Sequence, residues 1–288
     1  MNTLLQRTLP LLVVAVIIVL LYYPLMIWAN SPVAQRSLET GADIGCKTVS
    51  ECVYMLRNPV IPAPAQLGEG IKSLTIPPLA PTSAPYNALV TLGEAIVGLA
   101  LASAVGLLLA ILLVLSGSFE RAVLPWLVAS QTVPIIAIAP MLAVILGQYG
   151  VQGWFPKALI AAYIAFFPIV IGVSKGLKSP DPLQLDLMKT YNASRVQVFT
   201  LLRFPASVPF LFTALKVAST AAMVGSIVAE ISTISFSGIG KMLAENSRAS
   251  DTIALWVIMF YGALLGIVLV ALINLLERMV APWRATRS

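Results

Sequence analysis

Six apolar runs, each long enough to cross a lipid bilayer, divide this 288-residue chain and leave few folds open to it. A helical crossing takes roughly 20 apolar residues, because hydrocarbon offers no outside partner for a backbone N–H or C=O. The runs are drawn at Leu9 to Ala29, at about Ala88 to Leu115, and within the uncharged stretch Ala122 to Pro156, ending near Gly147. The fourth fits between Lys157 and Lys175, the fifth runs from about Val208 to Ala229, and the sixth is Ile253 to Leu276. Only 10% of the residues are charged, against about 25% in soluble domains. The sequence therefore predicts an all-α integral membrane protein with six transmembrane helices. The first run, preceded by Arg7, has the length of a retained anchor and lacks a small-residue cleavage site, so it is not read as a secretory signal.

The net charge of +6 sits on residues that flank the apolar runs. That is a pattern of membrane orientation, not of a nucleic-acid surface. Arg7 precedes the first run, and Arg121 lies between the second and third. Lys175, Lys178, Lys189, Arg195 and Arg203 fall between the fourth and fifth, and Arg278, Arg284 and Arg287 follow the sixth. With six crossings all of these share one face, while the opposite loop Gln148 to Pro156 has no basic residue. Both termini are thus expected in the cytoplasm. The expected division is an anchor over 1–30, an extracytoplasmic segment over 31–85, a core over 86–283 and a tail over 284–288. The segment from about Asn30 to Pro85 has four basic and four acidic residues and is rich in proline, which predicts extended chain with one short helix around Ser50 to Arg57. Cys46 and Cys52 both fall there, either as a small disulfide loop or as two free thiols.

Histidine is absent, which removes His-based metal sites and Ser-His-Asp or Cys-His catalysis. Gly238-Ile-Gly240-Lys241-Met242 lacks the spacing and the hydroxyl of a phosphate-binding loop. No catalytic residue, metal ligand or cofactor is assigned within the chain, and it is not read as an enzyme. Gly98, Ala102, Gly106 and Ala110 recur every fourth residue and mark a face for close helix packing. Pro125, Pro134 and Pro140 break up the third run, with Gln131-Thr132 just before its middle. Such a helix either lines a pathway or is simply kinked. Glu94 and Glu230 lie near the outer ends of their runs and are candidates for that pathway. Lys216, roughly 21 Å from Glu230 along one helix, lies where it could reach the cytoplasmic interface.

The polar stretch between the fourth and fifth runs carries two sets of helix-start residues. Asp181-Pro182-Leu-Gln184 offers an N-cap, a proline at the first helical position and a capping box. Ser194-Arg195-Val-Gln197 offers a second box, and Asn192 between them tolerates a left-handed turn. A helix, a sharp turn and a second helix ended by Pro205 are predicted. Leu187, Met188, Val198 and Leu201 supply apolar contacts suited to a partner's groove.

These residues resemble the EAA loop of ATP-binding-cassette importer permeases: Glu-Ala-Ala, three residues, Gly-Ala, then proline thirteen residues after the glycine. Asp186-Leu187-Met188 stands at Glu-Ala-Ala, Asn192-Ala193 at Gly-Ala, and Pro205 at the expected distance. Asp keeps the charge on a shorter arm, and Asn keeps the turn. The resemblance runs from about Tyr86 to Trp283. It is closest to the branch for nitrate, sulfonates, taurine and thiamine-precursor pyrimidines, through Gln131-Thr-Val-Pro134, Pro156-Lys-Ala-Leu159, Phe166-Phe-Pro168 and Gly238-Ile-Gly240. It implies a type I importer permease with a MetI-like core plus one additional N-terminal helix, in a bacterial cytoplasmic (inner) membrane. It further implies two permease subunits, identical or not, and two ATPase subunits that bind ATP and Mg, with a solute-binding protein outside. In that arrangement the short cytoplasmic helix enters a cleft of the ATPase. Asp186 bonds its surface, Asn192 sets the turn, and Arg195 and Arg203 assist docking. The implied cargo is a small polar solute of the pyrimidine, riboflavin, sulfonate or nitrate class. An ion-gradient-driven transporter, the rival reading, requires mid-span carboxylates, and an intramembrane enzyme requires clustered His, Cys or acidic ligands.

Overall fold

The computed structural model describes residues 2–40, 45–233 and 236–281, so the expected tail 284–288 lies outside them, with Arg284 and Arg287. Among the described residues all regular structure is helical. The helices are α1 (Asn2–Glu39), α2 (Val49–Met55), α3 (Pro64–Thr75), α4 (Ala84–Leu115), α5 (Gly117–Ser130) and α6 (Ile135–Gln148). They continue with α7 (Trp154–Leu177), α8 (Pro182–Thr190), α9 (Arg195–Val198), α10 (Phe204–Ser232), α11 (Ile239–Arg248) and α12 (Thr252–Val280). Five described spans are long and apolar enough to cross a membrane, or six if the bent pair α5–α6 is one crossing. The chain forms two compact units, Met1–Pro77 with Glu245–Met259, and Pro78–Ala244 with Phe260–Ser288.

In the first unit, α1 continues past the expected end of the span at Ala29 to Glu39. The apolar run ends there, but the helix continues through Pro32. Asn30 is buried on α1 and holds the chain at 60–61 with both ends of its amide. Its Oδ1 accepts from the Val60 and Ile61 amides at 2.8 and 3.1 Å, and its Nδ2 donates to the Ile61 carbonyl at 2.8 Å. Tyr22 adds a hydrogen bond to the Pro62 carbonyl at 2.5 Å, and Trp256 one to the Val60 carbonyl at 3.1 Å. Cys46 and Cys52 are joined in a disulfide, and Cys52 and Val53 pack with Met26 and Ala34. The short helix expected near Ser50 is α2. The expected extended chain after it holds a further helix, α3, because Pro64 takes the first helical position and the Gln66 side chain accepts from the Ala63 amide at 2.9 Å.

The second unit is built around α7, which packs on α4 and on α10. The small-residue stripe explains the α4–α7 seam. A Cβ on Gly98 would stand 2.6 Å from that of Ala161, and one on Gly106 would stand 2.9 Å from Ile169. Without those side chains the two backbones approach closely, which replaces the hydrophobic drive that lipid does not supply.

The third apolar run departs furthest from expectation: it is two 14-residue helices, α5 and α6, meeting at 97°. Pro134 has no N–H for the Ser130 carbonyl one turn earlier, so the helix ends and a new one starts after Pro134. The freed Ser130 carbonyl accepts instead from the Tyr163 hydroxyl of α7 at 2.5 Å. A break at membrane depth is tolerated when a neighbouring helix supplies the missing partner in this way.

Candidate functional site

A carboxylate on an apolar helix requires donors from elsewhere in the fold, and the second unit gathers them around Glu230. Glu230 near the end of α10 is 1% exposed, Glu94 on α4 is 2%, and Lys157 in the first turn of α7 is 5%. The Thr91 hydroxyl donates to Glu230 at 2.7 Å and the Gly240 amide donates to it at 2.6 Å. Glu94 pairs with the Lys157 ammonium, and its carboxyl also meets that of Glu230. Three helices are thereby tied together by one charged group.

The chain leaving α10 folds back over this group. Gly238 donates its amide to Asn87 Oδ1 at 2.7 Å, and Ile239 donates to the Thr91 hydroxyl oxygen at 2.9 Å. Gly238 has φ +115°, and a Cβ there would overlap the Glu230 carboxylate. A Cβ on Gly240 would overlap the Ile227 carbonyl. Gly238-Ile-Gly240 thus lies directly over the carboxylate, bonded to it through the Gly240 amide, and the close approach at Gly238 and Gly240 is open only to residues without a side chain.

Beside the cluster lies a cavity of about 710 Å³, within the range of sites for small organic ligands. Glu94 and Lys157 form part of its wall, together with Pro140, Ala143, Val144 and Gly147 of α6, Trp154, Ser232, Thr233, Phe236 and Ser237. Of the expected pathway residues, Glu94 lines this cavity and Glu230 lies against Glu94. Gln131, Thr132 and Pro134 are elsewhere, at the break between α5 and α6. The sequence reading did not single out Asn87, Thr91, Trp154, Lys157 or Phe236. The one available signal was that two carboxylates near span ends call for a cation, and Lys157 heads the fourth run. Lys216 does not simply reach the interface, since its ammonium pairs with Glu277 of α12 at 2.5 Å.

The second candidate site is the polar connection between α7 and α10. Asp181 caps α8 by accepting from the Leu183 amide at 2.8 Å, while the Gln184 side chain accepts from the Asp181 amide at 3.1 Å. Asn192 has φ 52°, the left-handed conformation that turns the chain. Ser194 and Gln197 form the second reciprocal pair, at 3.3 and 2.8 Å. Pro205 does not end the second short helix as expected. A π-helical turn, Phe199–Arg203, joins α9 to α10, and Pro205 falls in the first turn of α10. The Phe204 amide reaches back five residues to the Phe199 carbonyl, and this wider turn lets the helix absorb the proline ring. Asp186 is exposed and pairs with Lys189 at 2.8 Å. Leu187 is 57% exposed and Tyr191 78%, while Arg195, on the short helix, is exposed too. Met188 is half-buried and Ala193 of the turn is half-buried as well; the Ala193 amide donates to the Met188 carbonyl at 3.0 Å. Lys178 and Glu120 pair at 2.6 Å and fasten the start of this connection to α5.

Comparison with known proteins finds the family of binding-protein-dependent transport system inner membrane components over residues 102–286. A formylaminopyrimidine transport permease of Halalkalibacterium halodurans is 34% identical over 67% of this chain and 76% of its own length. A riboflavin transport system permease of Chloroflexus aurantiacus is 32% identical over 58% of this chain and 60% of its own length. A nitrate import permease of Synechocystis is 26% identical, covering 77% of this chain and 81% of the relative.

Proposed function

Because the chain belongs to the family of binding-protein-dependent transport system inner membrane components, we propose that it is the membrane-spanning subunit of an ATP-driven importer for a small polar organic solute. The family is one of transport permeases, not of enzymes, and its members for which a solute is named differ in that solute. In this reading a separate ATPase subunit, present in two copies, binds ATP and Mg and engages the connection between α7 and α10. A solute-binding protein delivers cargo on the outer face, and a second permease subunit completes the pathway.

One observation carries the reading. A short helix capped at its start and turned at Asn192 holds exposed Leu183, Leu187 and Tyr191 beside the charged pair Asp186–Lys189. An apolar and charged face on a polar, membrane-flanking segment suits the groove of a water-soluble partner. Rigidity follows from the double capping and from the continuous helix through α9 into α10, so a push on α8 reaches the membrane span directly. The test is Asp186→Lys in the purified assembly of permease, ATPase and binding protein. Solute-stimulated ATP hydrolysis is expected to fall to the basal rate while expression stays normal. Full stimulation in that variant would remove Asp186 from the coupling surface.

A further inference from the structure

The cavity beside the buried cluster restricts the charge of what can occupy it. Its described wall has one cation, Lys157, and one anion, Glu94, and they are paired with each other. A second carboxyl, that of Glu230, meets Glu94 of the pair. If the two carboxyls share a proton the group is neutral, and if they do not it is negative. While Glu94 stays ionised against Lys157, neither state is positive. An anion entering this space would therefore meet an ammonium already committed to a carboxylate, with further negative charge behind it. Freeing Lys157 for the anion would leave Glu94 buried without its counter-charge, a costly exchange in a site that excludes water. The rest of the wall favours a flat organic ring. Trp154 and Phe236 offer aromatic rings and Ser232 a hydroxyl that can donate to a ring nitrogen, while the Thr233 hydroxyl donates to the Ala229 carbonyl at 2.7 Å and is left to accept from an amino group. An aromatic face also attracts a protonated ring.

We propose that this cavity receives an uncharged or cationic aromatic nitrogen heterocycle and turns away nitrate, bicarbonate and sulfonates, an inference that rests on the importer reading above. The paired Glu94 and Lys157 act here as specificity determinants. They set the charge of the site rather than bonding the cargo as a bare acid or base.

The experiment uses the complete assembly in lipid nanodiscs, its partner subunits free of cysteine, with Ala143→Cys on the cavity wall as a reporter, since Cys46 and Cys52 are bridged and leave no competing thiol in this chain. Maleimide labelling of that cysteine is timed with a formylaminopyrimidine, riboflavin, nitrate, bicarbonate or ethanesulfonate present. The formylaminopyrimidine, at ten times its half-protecting concentration, is expected to slow labelling about tenfold, while the three anions leave the rate unchanged. Protection by any of the three anions overturns the proposal, as does the absence of protection by both heterocycles. In a Glu94→Gln background Lys157 loses its paired charge, and nitrate is then expected to begin protecting. Continued rejection of nitrate by folded Glu94→Gln assembly removes the pair as the determinant, and if that variant does not fold, the five-probe panel decides alone. Stimulated ATP hydrolysis is read on the same sample. Stimulation without protection counts against the cavity alone, whereas protection without stimulation counts against the importer reading.

Discussion

Glu230 accepts hydrogen bonds from Thr91 and from the Gly240 amide while almost wholly out of solvent, and two glycines make room for it. The sequence singled out Glu230 as an intramembrane carboxylate, but it could not say which donors, from residues as distant as Thr91, would reach it. Gly240→Ala is expected to be harmful in a way that surface Gly→Ala changes are not, because the added methyl meets the Ile227 carbonyl and the Glu230 side chain. Overpacking of this kind costs about 1–3 kcal/mol, more where backbone cannot shift. Thermal unfolding of the purified protein should begin several degrees lower than wild type. An unchanged melting curve would mean that the loop is not seated on Glu230.

At the scale of elements, the connection between α7 and α10 shows how local chemistry becomes mechanical stiffness. The capping residues Asp181, Gln184, Ser194 and Gln197 form the bonds that their spacing implied, because a cap needs only neighbours within three residues. Pro205 was harder to read. Its effect depends on the turn that precedes it, and the π-helical turn at Phe199–Arg203 carries the helix through. Asn192→Val tests the turn: a left-handed residue with a branched Cβ costs on the order of 1–2 kcal/mol or more, while Asn192→Gly fits at no steric cost. Transport should drop in the valine variant and persist in the glycine one. Equal rates in both would show that the turn does not govern coupling. The paired helices α5 and α6 teach the converse lesson. Three prolines announced an interruption, but neither its 97° angle nor the Tyr163 hydroxyl that takes up the freed Ser130 carbonyl could be read from them.

At the scale of the whole molecule, orientation is the property most open to direct measurement. Basic residues gather between the fourth and fifth runs, which predicts Lys189 in the cytoplasm and Tyr149, in a loop free of basic residues, outside. Both positions are exposed. In intact cells a membrane-impermeant maleimide should label Tyr149→Cys and should leave Lys189→Cys untouched until the membrane is opened. The reverse pattern would invert the protein. The number of apolar runs, the helical class, the charge bias and the capped connection were determined by the sequence itself, because each depends on length or on contacts within a few residues. Tertiary structure alone decided that Glu94 meets Lys157 and Glu230, that Gly238 and Gly240 lie over a carboxylate, and that the third run bends sharply beside a cavity. The buried cluster joins residues from about 60 to 150 positions apart, Glu94 to Lys157 and Asn87 to Gly238, and only the packing of α4, α7 and α10 brings them within bonding distance.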